Sequence, residues 1–174
     1  MKDTEIIEVL RGKLSMPTGR HLYGVLGGYP SLAAFAKKLQ QVKGLDGQSF
    51  PAPLSVNRGI LGSIPDEEFR QLATNEAKKP EPTAAHVARS FGGFLRSSLS
   101  NGGLVVLANL EMLFAYNIEL NLLRTLAADD TRVLLLLPGK REHGRVVMYP
   151  ELGEGRYSLP VNLIAEDHLW ELTS

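Results

Sequence analysis

Residues Leu104–Phe114 read L-V-V-L-A-N-L-E-M-L-F, an apolar run that ends without an acid. Leu104 to Leu107 form an aliphatic run of the kind a strand buried on both faces carries. In a domain that holds magnesium triphosphate, a strand of this type delivers a carboxylate to Mg²⁺ at its C-terminal tip. Here the run ends in Ala108, then Asn109, and the first carboxylate is Glu111. The frame of a metal-holding strand is present without the acid at its tip.

A partner for that strand lies upstream. Gly24 to Ser31 read G-V-L-G-G-Y-P-S, which fits the phosphate-loop spacing G-x-x-x-x-G-K-[ST] at its first glycine and its last hydroxyl. The loop's chemistry needs a late glycine for a backbone cradle, a lysine for the β and γ oxygens and a hydroxyl for Mg²⁺. Tyr29 and Pro30 occupy the glycine and lysine positions, and a proline has no backbone N–H to donate. Gly24, Gly27, Gly28 and Ser31 therefore read as the remnant of a phosphate loop, with Ala108, Asn109 and Glu111 as the remnant of its strand-end acid. The same residues also suit an ordinary strand-to-helix turn, with Pro30 at the start of the helix and Ser31 near its cap.

Length and charge bound the alternatives. The chain has 174 residues, 44% of them hydrophobic, enough for one domain with a proper core, so residues 1–174 are expected to form a single unit. Nineteen basic side chains face nineteen acidic ones, which excludes a protein that binds nucleic acid through its whole surface and leaves only a local patch. No cysteine is present, so there is neither a disulfide framework nor a thiolate metal site. Met1 to Leu14 alternates charged and apolar residues and does not read as a secretory signal. The apolar run Val133 to Leu137 is far shorter than the ~20 residues that cross a bilayer. A cytoplasmic protein with no membrane contact is expected.

Along the chain, the spacing predicts a first helix capped by Asp3 or Thr4, with Ile6, Ile7, Leu10 and Leu14 on one side, packed at a sheet edge. His21–Leu26 reads as a buried strand and Ser31–Val42 as a helix. Phe50–Val56, broken by Pro51 and Pro53, reads as an edge strand or as Leu54–Val56 alone, with a short helix at Arg58–Leu61. Pro65–Ala77 has an acidic first turn suited to a helix N-terminus, and Lys78–Pro82 reads as a loop. Helices are expected at Thr83–Leu99 and Asn117–Ala128, and a central strand at Thr131–Leu137. Gly144–Tyr149 and Leu159–Ile164 alternate and suit late edge strands. Alternating strands and helices joined by right-handed crossovers give a three-layer α/β domain with a mostly parallel central sheet; with the two remnant motifs, the expected class is P-loop NTPase-like, of the RecA/AAA-like kind.

Four blocks in order, S-V-N-R-G-I-L at Ser55–Leu61, L-V-V-L-A-N-L-E-M-L-F, T-R-V-L-L-L-L-P-G at Thr131–Gly139 and V-M-Y-P-E at Val147–Glu151, resemble the small P-loop BrxF family of bacterial BREX phage-exclusion systems. The likeness covers most of the chain after Leu22, and the tail from Leu134 is also similar to the BrxB family of the same systems. The resemblance implies a part in antiviral defence, within a complex that holds a large AAA+ ATPase, a methyltransferase and a phosphatase-like protein. It also implies a phosphate loop and an aspartate ahead of the N-[IL]-E block. This chain departs at both, with Tyr29-Pro30 and Ala108, so no cofactor is expected, neither ATP nor Mg²⁺.

Three functions stay open at this point. One is a non-catalytic scaffold or adaptor for the large ATPase. The second is a weak NTPase completed by groups from a partner, in which Glu111 polarises a water. The third is a DNA contact through Lys140, Arg141, His143 and Arg145, which follow the central strand where α/β proteins bind ligands; a solvated hairpin loop diluted by Glu142 explains the same charges. His21, His86, His143 and His168 are scattered with no i, i+4 pair, so no metal site is expected. Ser97, Ser98 and Ser100 lack the setting of a nucleophilic hydrolase.

Overall fold

The computed structural model describes residues 1–64, 70, 80–153 and 155–173. The helix expected at Pro65–Ala77 and the first part of the loop expected at Lys78–Pro82 lie outside those residues, except Arg70. From Asp3–Leu14 (α1) the chain runs through Leu22–Gly27 (β1), Tyr29–Gln40 (α2), Leu54–Ser55 (β2) and Val56–Gly62 (α3). Pro80–Leu99 (α4), Gly103–Ala108 (β3), Glu111–Ala115 (α5) and Asn121–Leu126 (α6) follow, then Thr131–Glu142 (β4), Arg145–Met148 (β5), Tyr157–Ser158 (β6) and Leu169–Glu171 (β7).

The main sheet has the order β2-β3-β4-β1-β7, and every neighbour in it is parallel. The aliphatic run of β4 sits between β1 and β3, pairing Val133 with Leu22 and with Val105. Successive side chains of the run point to opposite faces, and all five residues from Val133 to Leu137 are buried, so the central position expected for this strand holds. Beyond Leu137, β4 continues five residues past its expected end. It turns antiparallel with β5, and β5 pairs in turn with β6. His143 and Gly144 make the two-residue turn with φ of 50° and 79°, the left-handed geometry that suits the twist of a tight hairpin.

Helices cover both faces of the sheet. On one side Ile6, Ile7 and Leu10 of α1 and Leu32, Phe35 and Leu39 of α2 pack on Tyr23, Val25, Val106, Leu134 and Leu136. On the other, Val56 and Ile60 of α3, Phe91 and Leu95 of α4 and Leu123 of α6 pack on Leu22, Leu107, Val133, Leu135 and Leu137. Alternate residues of each strand thus serve opposite cores, as the two-residue period of a strand requires. Burying each such leucine contributes about 2 kcal/mol.

Several local expectations are corrected. Helix α1 lies on a sheet face, because Ile6, Ile7 and Leu10 recur on one side of it and all three are buried, and Lys2 rather than Asp3 is its cap; Asp3 instead pairs with Lys38 of α2 at 3.0 Å. Pro80 to Pro82 belong to α4, whose first turn needs few backbone donors and accepts proline. Asn117–Leu120 is a turn, with φ of 52° at Asn117, so α6 starts at Asn121. Leu159–Ile164 forms no strand: Pro160 lacks a donor and Asn162 takes φ of 65°, while Leu159, Leu163 and Ile164 still cap the second core. The last parallel strand is Leu169–Glu171, which the sequence pattern does not announce.

Candidate functional site

The C-terminal tips of β1 and β3, where a doubly wound sheet offers its ligand crevice, carry the residues singled out in the sequence. Gly24 is the third residue of a six-residue strand, and Gly24, Val25 and Leu26 pair in register with Leu135, Leu136 and Leu137. A Cβ on Gly24 would come within 2.8 Å of Leu169 Cδ1 and 2.9 Å of Ile164 Cδ1. This glycine is explained by close packing, not by an anion. Gly27 ends the strand, Gly28 is the N-cap of α2 and the helix begins at Tyr29. A phosphate loop needs several residues to leave the strand and turn their N–H groups inward, whereas Gly28 alone separates β1 from α2. Ser31 stands inside the first turn of α2, beside Pro30. Of the two readings of Gly24, Gly27, Gly28 and Ser31, the local geometry is that of the strand-to-helix turn, with the helix starting one residue before Pro30.

At the tip of β3, Ala108 offers a methyl group, and Asn109 takes the left-handed conformation with φ of 54°. That reversal lets α5 start with Glu111 in its first turn. The Glu111 side chain reaches back across the tips. Tyr29 Oη donates to Glu111 Oε1 at 3.0 Å, and Asn57 Nδ2 donates to Glu111 Oε2 at 2.9 Å. Asn57 is held from both sides: its Oδ1 accepts from Met112 N at 3.1 Å, and its own backbone N–H donates to Asn109 O at 3.0 Å. One carboxylate therefore ties the start of α2 to the start of α3 over the end of β3.

Two phenols lie beside this carboxylate, each shifted first by burial and then by its charge. Partial burial, and then the hydrogen bond to Glu111, push the Tyr29 hydroxyl up to about 12, so it remains a proton donor at any ordinary pH. Tyr149 lies deeper, 2% exposed, in the left-handed region with φ of 51°. Burial, then the negative Glu111, raise its hydroxyl further. Its oxygen has no partner among the described residues, and its ring meets Phe114 and Tyr157 edge to face at 5.4 Å and 6.2 Å. Both Glu111 oxygens already accept a hydrogen bond, and no cation among the described residues pairs with it. Each Glu111 oxygen thus serves one protein donor and keeps a further acceptor position. Asn57 and Tyr149 escape the sequence reading of the site: both lie in quoted blocks, but nothing in their spacing ties them to Glu111.

The basic loop is more committed than its sequence suggests. Lys140 and Arg141 belong to β4. Lys140 pairs with Glu142 at 3.2 Å. Arg141 pairs with Glu166 and donates to Leu169 O at 2.7 Å, fastening the hairpin to β7. His143 is a turn residue, and Arg145 starts β5. The basic stretch is thus a β-hairpin, in which Lys140 and Arg141 pair with the protein's own carboxylates. Two of the scattered histidines come together in the fold. His21 and His168 meet around Tyr23, with His21 Nδ1 2.5 Å from Tyr23 Oη and the His168 ring 4.7 Å from the Tyr23 ring.

Among the described residues, no group of three or more His, Asp or Glu gathers as metal ligands, and no helix is long and apolar enough to cross a membrane. Set against protein-family models, curated proteins and solved structures, the chain matches none of them.

Proposed function

We propose that this chain is a non-catalytic, RecA/AAA-like subunit that acts as a scaffold or adaptor for a larger ATPase, in a BREX-type defence complex. Strand order supports the nucleotide-fold part of this reading. With β1 and β3 on either side of β4, two strand tips stand about 10 Å apart, a span that a magnesium triphosphate gripped at one tip and coordinated at the other would bridge. The observation that carries the non-catalytic part is the closure of that span by Tyr29, Glu111 and Asn57. Pro30 stands at the motif's lysine position, and the carboxylate is engaged by the Tyr29 phenol and the Asn57 amide. The resemblance of the four sequence blocks supports the defence setting and the ATPase partner.

The test is titration of the purified protein with ATP and Mg²⁺, followed by heat and by thermal shift. A ligand with a Kd of about 100 μM would stabilise the fold by about 1.4 kcal/mol at about 1 mM. No shift is expected. A saturable rise in Tm would overturn the sealed-tip reading. Co-elution with the AAA+ ATPase of a BREX system, unchanged by nucleotide, is the outcome expected of an adaptor.

A further inference from the structure

A groove of about 900 Å³ runs beside the β4–β5 hairpin, on the face of the sheet opposite α1 and α2. Its walls bring together side chains far apart in sequence: Arg20 just before β1, Arg124 at the end of α6, Arg141 in β4 and Arg145 in β5, with Glu142 and Glu166 as the acids. Both acids are taken, Glu142 by Lys140 and Glu166 by Arg141. Arg20, Arg124 and Arg145 have no carboxylate partner among the described residues, and Arg124 Nε is buried with no acceptor among them. On a chain of zero formal net charge, three unpaired guanidinium groups on one concave surface form a focused positive site.

We propose that this groove binds the phosphate backbone of duplex DNA without regard to sequence. Guanidinium forks match phosphate oxygens two at a time, and the cationic side chains of the walls are arginines. Among the described residues no aromatic ring of Phe, Tyr or Trp lines the groove, so it has no platform for unstacked bases, which single-strand binders require. It also lacks the buried aromatic anchor typical of a protein-binding hot spot. The site is distinct from the sealed strand tips, and it replaces the loop of Lys140 to Arg145 with a surface to which Arg20 and Arg124 contribute. It holds whether or not nucleotide binds.

Fluorescence anisotropy with two duplexes of unrelated sequence tests this on the full chain. Three phosphates neutralised imply a slope near about −2.7 in log–log salt dependence, or roughly a 40-fold loss of affinity between about 50 and about 200 mM salt. The two duplexes should bind alike. Arg145→Gln, an exposed change with little risk to folding, should weaken binding about threefold and flatten the slope by about one. The combined Arg20→Gln, Arg124→Gln, Arg145→Gln variant should abolish the salt-dependent part. Lys37→Gln, on α2 across the sheet, serves as the control and should change nothing. Absence of duplex binding by the parent protein at low salt overturns the proposal, as does an Arg145→Gln affinity equal to the parent's. Displacement by inorganic tripolyphosphate at equal phosphate concentration, or tighter binding of an acidic peptide, would also overturn it.

Discussion

Asn57→Ala is the sharpest probe of the sealed strand tips. The change removes a charge-assisted bond to Glu111 at 2.9 Å and the acceptor for Met112 N at 3.1 Å. A bond to a charged group contributes about 1.5–3 kcal/mol and a neutral one about 1 kcal/mol. Glu111 is only half buried, so water replaces much of the first, and the expected loss is about 2 kcal/mol in total. For a domain of this size that lowers Tm by about 4–8 °C, readable by calorimetry or by circular dichroism. Asn57→Asp keeps the acceptor for Met112 but sets a second carboxylate against Glu111. It should lose at least as much at neutral pH, and millimolar Mg²⁺ should restore part of the loss, since one or two carboxylates can hold that ion. The parent protein should not respond to Mg²⁺. An Asn57→Ala protein melting within about 1 °C of the parent would refute the view that this network holds α2, α3 and β3 together.

Two further outcomes follow from the packing. A Cβ on Gly59 would collide with the Phe94 ring, so Gly59→Ala must displace that ring or push α3 off α4 and should cost about 1–3 kcal/mol; a urea midpoint equal to the parent's would show that this crossing is loose. Burial lowers the pKa of His21, helped by the positive Arg132, and burial also lowers that of His168, partly offset by Asp167. A histidine whose folded pKa is depressed contributes stability that is complete above its unfolded pKa of about 6.5 and is lost as pH falls below that value toward the folded one. The urea midpoint should therefore drop between about pH 7.5 and about pH 5.5, and His168→Gln should flatten the dependence. A midpoint that rises on acidification would contradict the lowered pKa of His21 and His168.

Where the apolar pattern was strong, the sequence was a good guide. The run Val133–Leu137 could only be satisfied by burial on both faces, and it became the central strand. The strand-to-helix alternation gave the layers for the same reason. Leu169–Glu171 was missed because three residues carry too little periodicity, and its place beside β1 depends on Gly24 leaving room for the Leu169 side chain. The site was half legible. Glu111, Tyr29 and Ala108 could be named from their departures from a motif, yet Asn57 joins them only through the parallel pairing of β2 with β3. Motif spacing also misplaced the glycines, since a spacing rule does not say whether residues between two glycines leave the strand. The arginine groove was only partly legible: Arg141 and Arg145 lie in the basic stretch after the central strand, but Arg20 and Arg124 join them from distant parts of the chain.

Strand β4 spans twelve residues and belongs to two pairing systems in succession: parallel neighbours up to Pro138, then an antiparallel one from Gly139. No hinge interrupts it. A load placed on the hairpin is therefore transmitted along one taut backbone to the middle of the molecule, about 40 Å at full extension. Slow amide exchange should reveal this as protection that spreads from the hairpin into the central strand whenever the hairpin is engaged, with the helices on the far side barely affected.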